Sequence, residues 1–114
     1  MKKGDIILVD FYFTDFSSFK QRPALIVSAN QSNKTDVMVA FITSVISLPI
    51  HITHLLISND NVEFIDTGLK ANSIIKCDKL MTVNKKLIVG KIGEIGMDMI
   101  KNIDKKLQIA LEIK

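Results

Sequence analysis

The sequence predicts a mostly β protein with α, an antiparallel barrel or sandwich closed by one C-terminal helix. Three observations predict it. Six or seven short segments of strand composition are separated by polar turn clusters. After Gly96 the apolar period changes from that of strands to that of a helix. The chain has 114 residues, 47% of them apolar, which suits a single domain spanning 1–114 whose core needs no metal or disulfide staple.

Ile6 to Phe13 is the first strand segment, rich in β-branched and aromatic residues and preceded by the turn signal Gly4–Asp5. A polar loop, Thr14 to Gln21, follows. Arg22–Pro23 opens a second strand, PALIVSA, with Pro23 at the first position, where a missing N–H is tolerated. Asn30 to Lys34 is a turn cluster. Asp36 to Ile46 reads as a longer third strand whose continuous apolar run predicts burial on both faces. Beyond Pro49, Ile52 to Ser58 gives a fourth strand, and Ser73 to Cys77, Met81 to Val83 and Leu87 to Ile92 give the rest. Ile100, Ile103, Leu107 and Leu111 then recur at three- and four-residue steps, with Lys101, Asp104, Lys105 and Lys106 between them. That pattern is an amphipathic helix laying one stripe on the domain.

Composition narrows the function classes. No apolar run approaches the roughly 18 residues of a membrane span. MKKGDIILVDF begins as a signal peptide does, but Asp10 breaks the run and no small-residue cleavage site follows, so no leader is expected. Cys77, the only cysteine, excludes an intrachain disulfide and fits a reducing cytoplasm. The net charge of +3 lies entirely in the second half: residues 1–60 carry five charges of each sign, and residues 61–114 carry ten lysines against seven acids. Such a balance permits a nucleic-acid partner without demanding one. Of 15 basic residues, 14 are lysine and one, Arg22, is arginine. In a chain that uses ammonium groups elsewhere, Arg22 marks a position suited to a planar, five-donor guanidinium; chance placement is the competing reading.

Several chemistries find no support. GKIGEIG, Gly90 to Gly96, lacks the ending and the strand–helix setting of a phosphate loop and reads as a turn. His51 and His54 are three apart, a spacing that on a strand sends the imidazoles to opposite faces, so no metal site and no cofactor are expected. There is no Gly-x-Ser-x-Gly elbow, and Cys77, among Ile74, Ile75 and Leu80, reads as an inert thiol. What remains is Arg22 with Thr43 and Ser44, two hydroxyls that interrupt the apolar third strand. Neighbouring backbone would satisfy them; equally, a guanidinium and a hydroxyl together can hold a phosphodiester, one as a bidentate clamp and the other as a donor to a non-bridging oxygen.

The order of the motifs carries a resemblance over nearly the whole chain. GDIILVDF, RPALIVS, a strand ending in ITS, TGL followed by SIIKCDKLMTV, and a C-terminal helix occur in the order found in MazF/PemK toxins of type II toxin–antitoxin systems. The sequence resembles that family. The resemblance implies an SH3-like, partly open antiparallel barrel of the CcdB/PemK type, assembled as a homodimer. It implies a metal-independent, sequence-selective endoribonuclease, an mRNA interferase that cuts single-stranded RNA through the substrate's own 2′-OH, leaving a 2′,3′-cyclic phosphate and a 5′-OH. It also implies a cognate antitoxin. Arg22 matches the family's catalytic arginine before proline, and Thr43 the Thr or Ser closing the third strand. Ser17, Ser18, Phe19, Lys20 and Gln21 match its substrate-contacting loop, and Asp78 and Lys79 the pair before its TV/TI strand; Ser44 joins them as a substrate-binding candidate. The sequence departs from the pattern in two places. Gln21 stands where some members have a titratable His, and Ser18 and Phe19 where others carry a Glu, which leaves the general acid and base unassigned. A CcdB-like poison that binds DNA gyrase, and a nucleic-acid-binding barrel without catalysis, are the alternatives.

Overall fold

The computed structural model describes residues 1–12, 19–29 and 35–114. Six strands form one sheet: β1 (Asp5–Tyr12), β2 (Phe19–Ile26), β3 (Asp36–Thr43), β4 (His54–Ile57), β5 (Ser73–Asn84) and β6 (Ile88–Glu94). Every neighbouring pair is antiparallel, and the spatial order β4-β5-β3-β2-β1-β6 leaves the sheet open between β4 and β6. One helix, α1 (Met97–Leu111), follows β6, and two single 3₁₀ turns occupy Ile65–Thr67 and Lys85–Leu87.

Strand alternation feeds two cores. Ile6, Leu25, Ala40, Ile42, Ile57, Ile75 and Cys77 gather on one side, where Met99 and Ile103 of α1 close over them. Ile7, Val9, Ala24, Ile26, Val37, Val39 and Val83 form the second cluster. Ile6, Ile57, Ile75 and Ile103 are at most 1% exposed. Each such side chain contributes about 2–3 kcal/mol of apolar burial, so the helix is held by its stripe rather than by capping. Its N-cap, Gly96, offers no side-chain bond, and only Asp98 in the first turn complements the helix dipole. At the chain start, buried Asp5 accepts from the Lys2 amide at 2.9 Å and lies 3.2 Å from the Lys91 ammonium, which fixes β1 to β6.

The elements differ from the sequence expectation at several points, and Gly90 to Glu94 of GKIGEIG belong to β6 rather than to a turn. β2 starts at Phe19, so Phe19 to Gln21 belong to a strand rather than a loop, and Pro23 lies inside it opposite Leu8. Pairing of β2 with β3 begins only at Ala24–Phe41, and a proline is tolerated where one side of the strand has no partner. β3 ends at Thr43 rather than Ile46, because the Thr43 hydroxyl accepts from the Val45 amide at 3.1 Å and turns the chain out. Val45 and Leu48 are consequently exposed, and Met38 within β3 is exposed too, so the run is not buried on both faces throughout. The Ser73–Cys77 and Met81–Val83 segments are one strand interrupted by a bulge. Ala40 pairs with Leu80 while its neighbour Phe41 pairs with Lys76, leaving Cys77, Asp78 and Lys79 as extra residues. Finally, β4 begins at His54, whose amide bonds the His51 carbonyl at 2.9 Å. That turn sets the two imidazoles side by side, with ring centroids 5.2 Å apart, instead of on opposite faces. The helical stripe is as expected through Leu107, whereas Leu111 is half exposed. The turn cluster at 30–34 lies outside the described residues.

Candidate active site

Arg22 projects from β2 where β2 and β3 separate. Their last rung is Ala24–Phe41, and carrying that register two residues further brings Arg22 level with Thr43. Arg22 is exposed and, among the described residues, its side chain makes no hydrogen bond or ion pair. All five guanidinium donors are thus open to a ligand. The Thr43 hydroxyl spends a lone pair on the Val45 amide and keeps its proton to donate. Both residues line two clefts at once. The first, about 490 Å³, is bounded by Gln21, Ser44 and the Gly68–Ala71 segment. The second, about 440 Å³, is bounded by Phe11, Phe41, Lys76 and Lys79.

The wall of the first cleft explains the Thr-Gly-Leu motif. Thr67 is fully buried; its hydroxyl donates to the Phe64 carbonyl at 2.6 Å and accepts from the Leu69 amide at 3.2 Å. Gly68 adopts a left-handed φ of 71°, and a Cβ there would fall 2.0 Å from the Ile92 carbonyl oxygen of β6. Gly93 faces the same contact from the other side, its absent Cβ 2.2 Å from the Thr67 carbonyl carbon. The two glycines let the 3₁₀ turn lie directly on β6, and Leu69 to Ala71 thereby reach the cleft.

The second cleft is basic and aromatic. Phe11 and Phe41 pack with centroids 4.9 Å apart, and the Lys79 ammonium stands 5.9 Å over the Phe41 ring. The bulge in β5 is what delivers Lys79 there. Beyond it lies a third group: His54 Nε2 is 2.9 Å from Asp78 Oδ1, and His51 Nδ1 is 2.7 Å from the buried Thr53 hydroxyl. Burial pushes the Asp78 carboxyl up, but hydrogen bonds from His54 and Thr53, with the charge of His54, bring it below its ordinary value. Cys77, next in the bulge, is fully buried, and its thiol is pushed up to about 11, first by burial, which outweighs the pull of Lys106. It is an inert core group, as its neighbours suggested.

Of the residues singled out in the sequence, the structure brings together Arg22, Thr43, Ser44, Gln21 and Lys79. Lys20 is exposed on β2 and Asp78 turns toward His54; neither lines either of these two clefts. Ser17, Ser18 and the Phe19 side chain lie outside the described residues. Sequence reading missed Phe11, Phe41, Lys76 and Leu69 to Ala71. It also missed Asp10, directly opposite Gln21 in the β1–β2 ladder, whose buried Oδ1 finds no partner among the described residues. Strand register reveals the strand residues, and the packing of the 3₁₀ turn on β6 reveals Leu69 to Ala71.

The family model for the PemK-like, MazF-like toxin of type II toxin–antitoxin systems matches residues 2–111. No curated protein matches the sequence. Solved structures are similar over their full length. An endoribonuclease in complex with its cognate antitoxin, from a mycobacterial species, is 19% identical with a TM-score of 0.77, over 100% of this chain and 97% of that one. The Mycobacterium tuberculosis toxin MazF-mt6 is 20% identical with a TM-score of 0.77, over 96% and 98%. MazF in a MazE–MazF structure from Deinococcus radiodurans is 14% identical with a TM-score of 0.78, over 100% and 97%. At these identities the likeness concerns the fold: a six-stranded open antiparallel sheet with a C-terminal helix.

Proposed function

The chain belongs to the PemK-like, MazF-like toxin family of type II toxin–antitoxin systems, and from that premise we propose that it is a metal-independent endoribonuclease acting on single-stranded RNA in the cytoplasm. The observation that carries the proposal is the partnerless Arg22 level with Thr43 between two clefts, one of them basic and aromatic. Single-stranded RNA is held by cations that track its backbone and by aromatic faces that stack its bases. Arg22, Lys76 and Lys79 supply the first and Phe11 with Phe41 the second.

With a phosphodiester against Arg22, the ribose 2′-OH attacks the adjacent phosphorus in line and the 5′ oxygen leaves. The products are a 2′,3′-cyclic phosphate and a 5′-OH. Two tasks fall to the protein: holding the in-line geometry and stabilising charge on the phosphorane. The Arg22 fork does the second through paired N–H donors, and the Thr43 hydroxyl donates to a non-bridging oxygen. A guanidinium stays protonated throughout, so Arg22 is a clamp and not a base. Gln21 and Ser44, beside it in the first cleft, read the flanking nucleotides. A cognate antitoxin and a second copy of the chain are the proposed partners. The family match is to PemK- and MazF-like toxins and does not favour a CcdB-like gyrase poison.

The experiment is cleavage of RNA by the purified chain in EDTA, with 5′ ends of the fragments mapped. Cutting that leaves 5′-OH ends and is lost in Arg22→Ala supports the proposal. Salt-dependent RNA binding without cutting, or cutting that survives Arg22→Ala, overturns it.

A further inference from the structure

We propose that His51, His54 and Asp78 form a binding site for a borderline divalent transition-metal ion, of which Zn²⁺ is the probe. One ligand atom from each of the three lies within 4.8 Å of the others, the only such trio among the described residues. In a tetrahedral zinc site with bonds near 2.0–2.1 Å, ligand atoms stand about 3.4 Å apart, so closure asks for about 1.4 Å or less of side-chain movement. His51 is exposed, and Asp78 has 42% of its side chain exposed, so both have room to make that movement.

The frame behind the three is already tied. The His54 amide bonds the His51 carbonyl at 2.9 Å, which closes the turn that aligns the rings. The Cys77 amide bonds the Thr53 carbonyl at 3.1 Å, which fastens that turn to the bulge presenting Asp78. Buried Thr53 reaches both His51 and Asp78 with its hydroxyl, so one outer residue orients two of the three ligands. On binding, the His54–Asp78 hydrogen bond is replaced by two bonds to a shared cation, and water fills the fourth position.

The surroundings choose the metal. Lys76 pairs with His54 across β4 and β5, Lys79 follows Asp78, and Lys106 bonds the Ile52 carbonyl at 3.1 Å. A hard cation held mainly by electrostatic attraction, such as Mg²⁺ or Ca²⁺, is repelled there and finds one carboxylate instead of an oxygen cage. Two imidazoles favour Zn²⁺, Ni²⁺ or Cu²⁺ through the strength of the bonds themselves. None of the three ligands lines either cleft that holds Arg22 and Thr43, and the proposed cleavage needs no metal.

The test uses the tag-free full chain, stripped with EDTA and desalted. Zn²⁺ is titrated against a chromophoric chelator, and Co²⁺ is titrated for its visible spectrum. The expected result is one tight equivalent of Zn²⁺, an intense Co²⁺ band of tetrahedral type, and no response to Mg²⁺. His51→Ala, His54→Ala and Asp78→Asn each weaken Zn²⁺ binding by about tenfold or more and lose the Co²⁺ band, with circular dichroism unchanged. His51, lying outside the sheet, serves as the variant least able to disturb folding. Stoichiometric binding that survives both His51→Ala and His54→Ala, or binding no tighter than that of a non-specific surface, overturns the assignment. RNA cleavage in EDTA is unaffected by either outcome, so the two proposals fail separately.

Discussion

Arg22 stands level with Thr43 across β2 and β3, two residues past Ala24–Phe41, the final rung of their ladder. The strands part there, and the two side chains face a cleft instead of a neighbouring strand. Because exposed Arg22 has no partner among the described residues, its removal leaves folding stability within about 0.5 kcal/mol. Loss of a charge-stabilising donor pair costs cleavage on the order of 10²–10³-fold. Arg22→Lys keeps the charge and loses the fork, so it recovers only a small part of the rate. Single-turnover cleavage beside urea unfolding separates these effects; a lysine variant as fast as the parent removes the bidentate role.

Thr43 does two things with one hydroxyl, accepting from the Val45 amide and offering its proton to the cleft. Thr43→Ser preserves both and is expected to cut within a few-fold of the parent. Thr43→Val preserves shape and loses both. It is expected to lower kcat by about 10–100-fold and stability by about 1 kcal/mol as the Val45 amide loses its acceptor. Unchanged kcat in Thr43→Val with the stability loss intact would reduce Thr43 to a turn residue.

What was legible in the sequence divides along a physical line. Arg22 was visible because one guanidinium among lysines is a compositional signal, and Thr43 because hydroxyls in an apolar strand need partners. The helix was visible because a 3.6 period is local. Phe11 and Phe41 were not, since 30 positions separate them and only the β1–β2–β3 register joins their rings. Residues 78–80 read as a gap between two strands, although one strand runs through them and Asp78 and Lys79 belong to its bulge. His51 and His54 were misplaced because strand alternation was applied to residues that form a turn. Local chemistry was readable; whatever depends on register was not.

Gly68 and Gly93 meet where the 3₁₀ turn lies on β6, with no room for a methyl at either position. Gly93→Ala is expected to destabilise the fold by about 1–3 kcal/mol, as backbone on the facing side must retreat. Gly68→Ala adds left-handed strain to the same clash and costs more. Because Leu69 to Ala71 wall the first cleft, any residual folded Gly93→Ala also loses substrate affinity before it loses kcat. Thermal denaturation and KM against kcat test both parts; a variant with parental Tm contradicts the packing described.

Cys77 gives a pH prediction of determinate sign. In the unfolded chain its thiol ionises near 9.0, and in the folded chain burial delays this to about 11. Between those values the unfolded state sheds a proton that the folded state keeps. The full contribution therefore holds below pH 9 and is lost as pH rises toward 11. Other groups titrate in the same window, so the comparison is with Cys77→Ala, which lacks only this one. At about pH 8 the alanine variant is less stable by about 1–2 kcal/mol through lost packing. By about pH 11 the gap closes by an amount on the order of 2 kcal/mol, as the parent pays to keep its thiol protonated. Urea midpoints for the two proteins across that range measure the gap, and one that stays constant with pH contradicts the buried, neutral thiol. Iodoacetamide gives the same answer kinetically: with almost no thiolate and no exposed sulfur, native Cys77 is alkylated only on unfolding, and rapid native labelling would contradict its burial.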